Sequence, residues 1–168
     1  MPDAADLEAK FWKSIKSDRT AMLGLAGDGQ SLAQPMTLLL DPDSKRGDAD
    51  RGPLYTFTAK DSDIVQAMGD RHPAELLFTG KGHGLFAAIE GELVADNDPA
   101  TIERLWNPFV AAWFEGGQED PNLQLLRFEP GRAQIWENDN SLFAGVRLML
   151  GRDPKQDYAD KTAQVRLS

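Results

Sequence analysis

Thr58, Lys60, Asp61 and Ser62 are polar side chains that lie close together where a predicted strand gives way to a predicted helix. The first turn of a helix leaves backbone N–H groups without intrahelical partners, and with the helix dipole they favour a bound anion, above all a phosphate. Ser62 could donate its hydroxyl to a phosphate oxygen, Thr58 offers a second hydroxyl, and Lys60 supplies positive charge. These residue types predict a phosphate site at the junction.

The same residues also fit a plain capped helix. Asp61 and Asp63 oppose an anion, and Asp63 followed three residues later by Gln66 fits a capping pair. Helix starts of this composition are common, so the local sequence by itself favours the capped helix. The phosphate site therefore needs support from elsewhere in the chain.

The segments around the junction predict how it is positioned. A strand over residues 34–40, a polar loop over 41–53 and a second strand over 54–58 lead into a helix that ends before Gly69. Side chains alternate along the second strand, so Tyr55 and Phe57 share one face of the sheet.

Apolar spacing and breaks at glycine or proline predict the other elements. The first are an amphipathic helix over residues 6–17 and a hairpin of 19–27 with 32–40 around a tight turn at 28–29. Strands over 74–79 and 85–95 follow, and then a helix that starts at 98–99 and ends at 107–108. The last are strands over 123–129 and 132–137 about a turn at 130–131, and a short terminal strand near Val165 and Leu167. Gly91 predicts a bulge or a close backbone approach. Six or seven short strands with two or three helices favour a mostly β fold, a small antiparallel β-barrel with flanking helices.

The composition of the chain limits how many domains it can form and which partners it can bind. The 168 residues show no change of composition, which predicts one domain over residues 1–168, with a core over about 11–137 and a C-terminal extension over 138–168. A net charge of −9 opposes nucleic acid and anionic membranes, and no stretch approaches the roughly 20 apolar residues that span a bilayer. The chain has no cysteine and its N-terminus is unlike a secretory signal, so a cytoplasmic protein is expected.

Several common kinds of chemistry are missing from the sequence. His72 and His83 are the only histidines, and neither lies at a metal-ligand or serine-nucleophile spacing, so no metal site is predicted. Glu90 and Glu92 share a strand face, which an exposed polar face explains more simply than a catalytic pair. No residue stands out as a general acid or base, and the catalytic residues are unknown.

A series of short blocks in a fixed order, from about Phe11 to Trp136, carries a family resemblance. The blocks are FW, MLGL, QPMT, LYTFTAKDSD, RLWNP, AWFEGG, EDPNLQLLRFEP and AQIWE. They resemble the general stress proteins of the pyridoxamine-phosphate-oxidase-like superfamily. The resemblance implies an FMN-binding split β-barrel that works as a homodimer, with each flavin in a cleft between two subunits and FAD as the alternative cofactor.

The resemblance also implies which residues contact the cofactor. The strand beside the isoalloxazine ring matches Pro35, Met36, Thr37 and Leu38. The phosphate site matches Phe57, Thr58 and Ser62, with Lys60 taking part of the phosphate charge. By analogy, Trp113 or Phe114 would cross the interface to cover the flavin of the other subunit, although packing in the core or at the dimer interface is the favoured explanation for both aromatic residues.

The sequence departs from the true oxidases at one informative place. In those enzymes two basic residues follow the serine, whereas Asp63 and Ile64 stand here, which weakens the case for tight FMN binding and opposes oxidation of pyridoxamine phosphate. The function implied is that of an FMN-binding general stress protein, with a flavin-dependent oxidoreductase of unknown substrate as its catalytic form. The alternatives are a non-catalytic flavin-binding or storage protein, a split barrel that binds haem or a deazaflavin, and a structural dimer with an empty cleft.

Overall fold

The computed structural model describes residues 3–27, 33–43, 51–138 and 162–167. Within these residues the chain forms helices and strands in the following order: α1 Ala4–Asp18, β1 Thr20–Leu25, β2 Gln34–Thr37, β3 Leu39–Leu40, β4 Leu54–Ala59, α2 Asp63–Met68, β5 Arg71–Thr79, β6 Leu85–Ala95, α3 Pro99–Leu105, α4 Pro108–Ala111, β7 Leu123–Glu137 and β8 Thr162–Arg166. Two 3₁₀ turns lie at Lys81–His83 and Gly117–Glu119. The predicted mostly β class is confirmed.

All eight strands form one antiparallel sheet that nearly closes into a barrel. Its order is β2-β1-β5-β6-β7-β4-β3, with β8 paired to β7. The strands at the two ends of this order, β2 and β3, are separated in the chain by Leu38 alone. The barrel prediction is therefore confirmed, and the sheet remains open between β2 and the part of β4 that the short strand β3 does not cover, residues 56–59.

Two apolar clusters hold the elements in place. The main core contains the buried stripe of α1, in which Leu7, Phe11 and Ile15 recur every four residues, and Phe11 packs edge-on against Phe78 of β5. A second cluster lies under α3 and α4 and consists of Tyr55, Ile102, Leu105, Phe114, Leu123 and Leu125. The predicted N-terminal amphipathic helix is confirmed, and the second cluster supports the side of β4 that carries Tyr55.

The strand β7 corrects the prediction of two strands about a turn at Pro130 and Gly131, since it runs unbroken from Leu123 to Glu137. The register of β6 shifts between Ile89 and Gly91, and Gly91 then pairs with Pro130. Between these two pairs Glu90 of β6 opposes both Gly131 and Arg132, so the extra residue of the bulge lies in β7, next to Pro130, which has no N–H to give to a strand ladder. The prediction of a bulge or a close backbone approach at Gly91 is confirmed, because the register shifts there and a Cβ on Gly91 would clash with the Glu129 carbonyl oxygen.

Other differences concern the ends of elements. The fifth strand begins at Arg71 rather than at residue 74, and the helix predicted to end at 107–108 ends at Leu105. Asn107 instead begins α4, because its Oδ1 accepts the N–H groups of Phe109 and Val110. The terminal strand is confirmed as β8. The turn at 28–29, most of the loop over 41–53 and most of the extension over 138–168 lie outside the described residues.

An ion pair between the buried carboxylate of Asp41 and the exposed Arg104 ties the end of β3 to α3. Asp41 is 2% exposed and accepts two hydrogen bonds from Arg104 Nε, at 3.1 and 3.2 Å, and one from Arg104 Nη2 at 2.8 Å. Asp41 also accepts the Asp43 N–H at 3.1 Å. The hydrogen bonds from Arg104 hold the pKa of Asp41 below its ordinary value of 3.8.

This pair predicts an acid-sensitive contribution to stability. Because the folded pKa of Asp41 is lowered, its contribution is fully present above pH 3.8 and is lost as the pH falls through the folded pKa. We expect Arg104→Met to lower the urea midpoint clearly at pH 7, and the gap to wild type to shrink at pH 3. Arg71→Met, which breaks an exposed pair with Glu92, should have a small effect at both pH values. A gap of constant size from pH 7 to pH 3 would contradict the assignment.

Candidate functional site

A cavity of about 830 Å³ lies where the barrel remains open, between β2, β4 and the segment 107–114. Its volume falls in the range of small-molecule sites, roughly 300–1,000 Å³. Apolar and aromatic side chains make up most of the wall. The polar groups that reach it are three threonines, two asparagines and one arginine: Thr37, Thr56, Thr58, Asn107, Asn122 and Arg19.

The wall from β2 offers backbone hydrogen-bonding groups as well as the side chains of Pro35, Met36 and Thr37. The Leu38 N–H donates to the Arg19 carbonyl, and Thr20 pairs with Thr37 at the next position of the same register. Hydrogen-bonded and non-bonded pairs alternate in an antiparallel ladder, so the N–H and C=O of Thr37 point away from β1. The open edge of β2 therefore presents a donor and an acceptor beside the cavity.

The wall from β4 carries residues of both sheet faces. Phe57 meets Trp106 edge-on, with ring centroids 5.9 Å apart and an interplanar angle of 89°, which fixes its ring against the second cluster. Thr56 is almost fully buried, whereas Thr58 is half-buried and carries a hydroxyl 3.4 Å from that of Ser62. Two hydroxyls therefore adjoin each other where β4 ends.

The strand-to-helix junction does not contain the capping pair that the sequence allowed. Ser62 occupies the N-cap position of α2 but makes no capping hydrogen bond, and Gln66 Nε2 donates to the Lys60 carbonyl at 2.6 Å. The Asp61 carboxylate accepts a hydrogen bond from Asn122 Nδ2 at 3.2 Å, while Asn122 Oδ1 accepts the Asp61 N–H. Asp61 is thus paired with the cavity residue Asn122, and the Ser62 hydroxyl is not used for capping.

The third wall is the aromatic segment that α4 begins. Phe114 is buried in the second cluster, whereas Phe109 and Trp113, four residues apart, are 85% and 84% exposed. All three line the cavity. Phe109 and Trp113 are the most exposed large apolar side chains among the described residues, and such an exposed pair is typical of a surface that another molecule covers.

Seven of the ten residues implied as cofactor contacts lie along this wall: Pro35, Met36, Thr37, Phe57, Thr58, Trp113 and Phe114. The other three do not line it. Leu38 is 2% exposed in the main core, so only its backbone could meet a ligand. Lys60 is exposed on the turn after β4, and Ser62 reaches the site through its contact with Thr58.

The sequence did not point to Arg19, Asn107, Phe109 or Asn122, all of which line the cavity. Arg19 ends α1 with a left-handed backbone, φ 60°, and nothing in its local sequence signals the cavity. It is the only charged side chain in the described wall, which holds neither histidine nor carboxylate. Among the described residues, no group of three histidine or acidic side chains could hold a metal ion.

The described helices include none with the length and apolar character needed to span a membrane.

Comparison with known proteins agrees with this architecture. A family model for pyridoxamine 5'-phosphate oxidase-like proteins matches residues 6–156. The chain is 49% identical to the general stress FMN/FAD binding protein from Xanthomonas citri, with 83% of this chain and 94% of that chain covered and a TM-score of 0.73. It is 48% identical to a general stress family protein from Xanthomonas campestris pv. campestris, with 84% and 94% covered and a TM-score of 0.73.

A more distant similarity spans nearly the whole chain. General stress protein 26 from Jannaschia sp. CCS1 is 30% identical, with 96% of this chain and 99% of that chain covered and a TM-score of 0.71. No curated protein matches the sequence. These solved structures therefore share the fold over most of this chain.

Proposed function

The chain belongs to the pyridoxamine 5'-phosphate oxidase-like family, and from this we propose that it is a general stress protein that binds a flavin, FMN, between β2, β4 and α4. The observation that carries the proposal is the cavity, whose wall combines apolar surface, a free strand edge and adjoining hydroxyls. The similarity to an FMN/FAD binding protein over most of both chains supports it.

The wall fits the chemistry of a flavin. The isoalloxazine ring is flat and largely apolar, and Pro35 and Phe57 offer an apolar surface for it, with only a small exposed part of Met36 beside them. Its polar edge carries donors and acceptors, which the N–H and C=O of Thr37 would match. The hydroxyls of Thr58 and Ser62, with Lys60 nearby on the turn, would hold the phosphate. When bound, the flavin supplies electron or hydride transfer, while the protein binds and orients it.

Haem fits the described wall less well. Haem iron is usually held by histidine, cysteine, tyrosine or methionine, and of these the wall contains only Met36. The Met36 side chain is 8% exposed and packs in the main core, so it is poorly placed to ligate iron. A deazaflavin shares the flavin's shape, and the absorption spectrum would distinguish the two.

The same wall bears on catalysis. Arg19 is its only ionisable side chain among the described residues, so the described wall holds none of the side chains that usually act as a general acid or base, such as histidine, glutamate or aspartate. We propose a flavin-dependent oxidoreductase whose transfer chemistry is the cofactor's own, with non-catalytic flavin binding as the second candidate. Asp63 is exposed and Ile64 is buried where the oxidases carry basic residues, so no oxidation of pyridoxamine phosphate is expected.

The absorption spectrum of the purified protein tests the proposal. We expect a yellow protein that releases FMN on denaturation, and chromatography of the released cofactor separates FMN from FAD. Bleaching of the colour by NADH or NADPH would identify an enzyme, whereas unchanged colour would favour storage. Protein that is colourless and does not bind added FMN, FAD or riboflavin would refute the proposal.

We further propose a cytoplasmic homodimer in which a second copy covers the exposed rim, each chain forming one domain. Phe109 and Trp113 carry the argument, because large aromatic side chains at this exposure are typical anchors of an interface. Truncating such an anchor commonly costs about 2 kcal/mol or more, which is roughly a 30-fold weaker association.

The dimer is tested with Trp113→Ser. We expect light scattering to give a dimer for wild type at micromolar concentration and a shift toward monomer for the variant, with reduced flavin content. Circular dichroism shows whether the variant is still folded. A folded wild-type monomer that retains flavin would refute both the dimer and the role of a second subunit in the site.

A further inference from the structure

Arg19 stands at a position where the backbone favours glycine. It ends α1 with φ 60°, and its N–H donates to the Ile15 carbonyl at 2.9 Å in the manner of a helix C-cap. A side chain with a Cβ is disfavoured in the left-handed region, and glycine is the usual residue at such helix ends. An arginine that adopts this conformation and lines the cavity suggests a role for its side chain.

The guanidinium of Arg19 is exposed and is open to a ligand. Its Nε donates to the Lys16 carbonyl at 3.3 Å, and the two terminal nitrogens have no hydrogen-bond partner among the described residues. The neighbouring carboxylate of Asp18 accepts the Lys81 N–H at 2.6 Å instead of pairing with Arg19. The planar fork of an arginine matches a carboxylate or a phosphate through two parallel hydrogen bonds.

The cavity therefore has two places suited to an anion, on different walls. Arg19 lies at the junction of α1 and β1, beside the strand that contains Thr37, whereas Thr58, Ser62 and Lys60 follow β4. FMN carries one phosphate. If the hydroxyls after β4 hold that phosphate, the cation at the other wall is left for a second molecule.

We propose that Arg19 makes this cavity selective for a second ligand that is anionic, a small carboxylate or phosphate ester with an apolar body held beside the flavin. The inference rests on the proposed flavin site and names the class of its substrate. The apolar wall would take the body of that molecule, and the fork of Arg19 would take its charged end.

The test titrates the flavin-loaded protein with three probes, sodium benzoate, phenyl phosphate and benzyl alcohol, and follows the flavin absorption band. We expect at least one anion to bind wild type about 10-fold or more tightly than the uncharged alcohol. Arg19→Gln should weaken the anion by about 10- to 100-fold, as expected for a hydrogen-bonded charge, and leave the alcohol unchanged.

Two further variants separate binding from structure. Arg19→Gly should lose the same selectivity while keeping thermal stability no lower than wild type, because glycine suits φ 60°. Lys13→Gln makes the same charge change on the exposed face of α1, outside the cavity wall, and should leave all three affinities unchanged. A loss of anion binding in Lys13→Gln equal to that in Arg19→Gln would overturn the proposal in favour of a general charge effect.

The remaining outcomes are distinguishable. Equal binding of anions and alcohol to wild type, or unchanged anion binding in Arg19→Gln, would overturn the proposal. If Arg19→Gln weakens FMN but not riboflavin, Arg19 binds the cofactor phosphate, which also overturns it. If wild type binds no flavin, the proposed function fails, and the same titrations followed by tryptophan fluorescence still test Arg19. Anion selectivity that is lost only in the Arg19 variants would then support it.

Discussion

Gly91→Ala is expected to lower the free energy of unfolding by about 3 kcal/mol. A Cβ at this position would clash with the backbone carbonyl oxygen of Glu129 and would lie 2.8 Å from Cζ of Phe128. The carbonyl belongs to the neighbouring strand β7, and Phe128 is 1% exposed in the main core. Neither group can move aside by rotating a flexible side chain, so the bulge itself must shift.

Gly84→Ala provides the matched control for this substitution. Gly84 lies just before β6, has φ −81° and has open space where a Cβ would be. Its change should stay within about 0.5 kcal/mol. Urea unfolding of both variants under identical conditions measures the difference. If the urea midpoints of Gly91→Ala and Gly84→Ala both agree with that of wild type, the backbone of β7 at Glu129 can move to accommodate the added Cβ, and the prediction is wrong.

Ser62→Ala is expected to weaken FMN about 10- to 100-fold while riboflavin, which has no phosphate, binds as before. A hydrogen bond to a charged group contributes about 1.5–3 kcal/mol, and the Ser62 hydroxyl adjoins that of Thr58 at the edge of the cavity. Since Ser62 makes no capping hydrogen bond, its loss should change stability little. Lys60→Gln should weaken FMN similarly and reduce the dependence on salt.

Thr56→Val is the control within the same strand, because it removes a hydroxyl from the cavity wall away from the junction. It should affect FMN and riboflavin alike. Isothermal titration of both ligands into wild type and each variant decides the matter. Wild type that binds riboflavin as tightly as FMN would mean that the phosphate is not held at Thr58, Ser62 and Lys60.

Elements with strong local signals could be predicted from the sequence. Asp98 caps α3 and accepts the Thr101 N–H at 3.0 Å, as the order of aspartate and proline predicts, and β6 has the expected bounds. Pro130 and Gly131 carry an equally strong turn signal, yet they lie within a strand. Pairing with the neighbouring strand β6, which leaves a bulge at Gly131 and Arg132, keeps them in the sheet, and a local sequence does not contain that information.

The candidate site was predictable to a similar extent. Pro35, Met36 and Thr37 could be named because they form one block with a family resemblance, and the cavity indeed lies beside them. Arg19 and Asn122 could not, since each reaches the cavity only through the packing of distant segments. Asn122 is hydrogen-bonded to Asp61, which is 61 positions away in sequence, and the sequence near either residue does not predict this hydrogen bond.

The long sequence separation between Asp61 and Asn122 also affects how fast the chain folds. The wall from β4 gains its neighbour β7 only when such distant segments meet, whereas β1 and β2 are close in sequence. Pairing of segments that are far apart in sequence slows folding, because the chain loses entropy when the loop between them closes, before their contacts can form. We therefore expect the cavity to form late in folding. A ligand that needs both walls can slow the unfolding of this chain, but it cannot hasten the step that first brings them together.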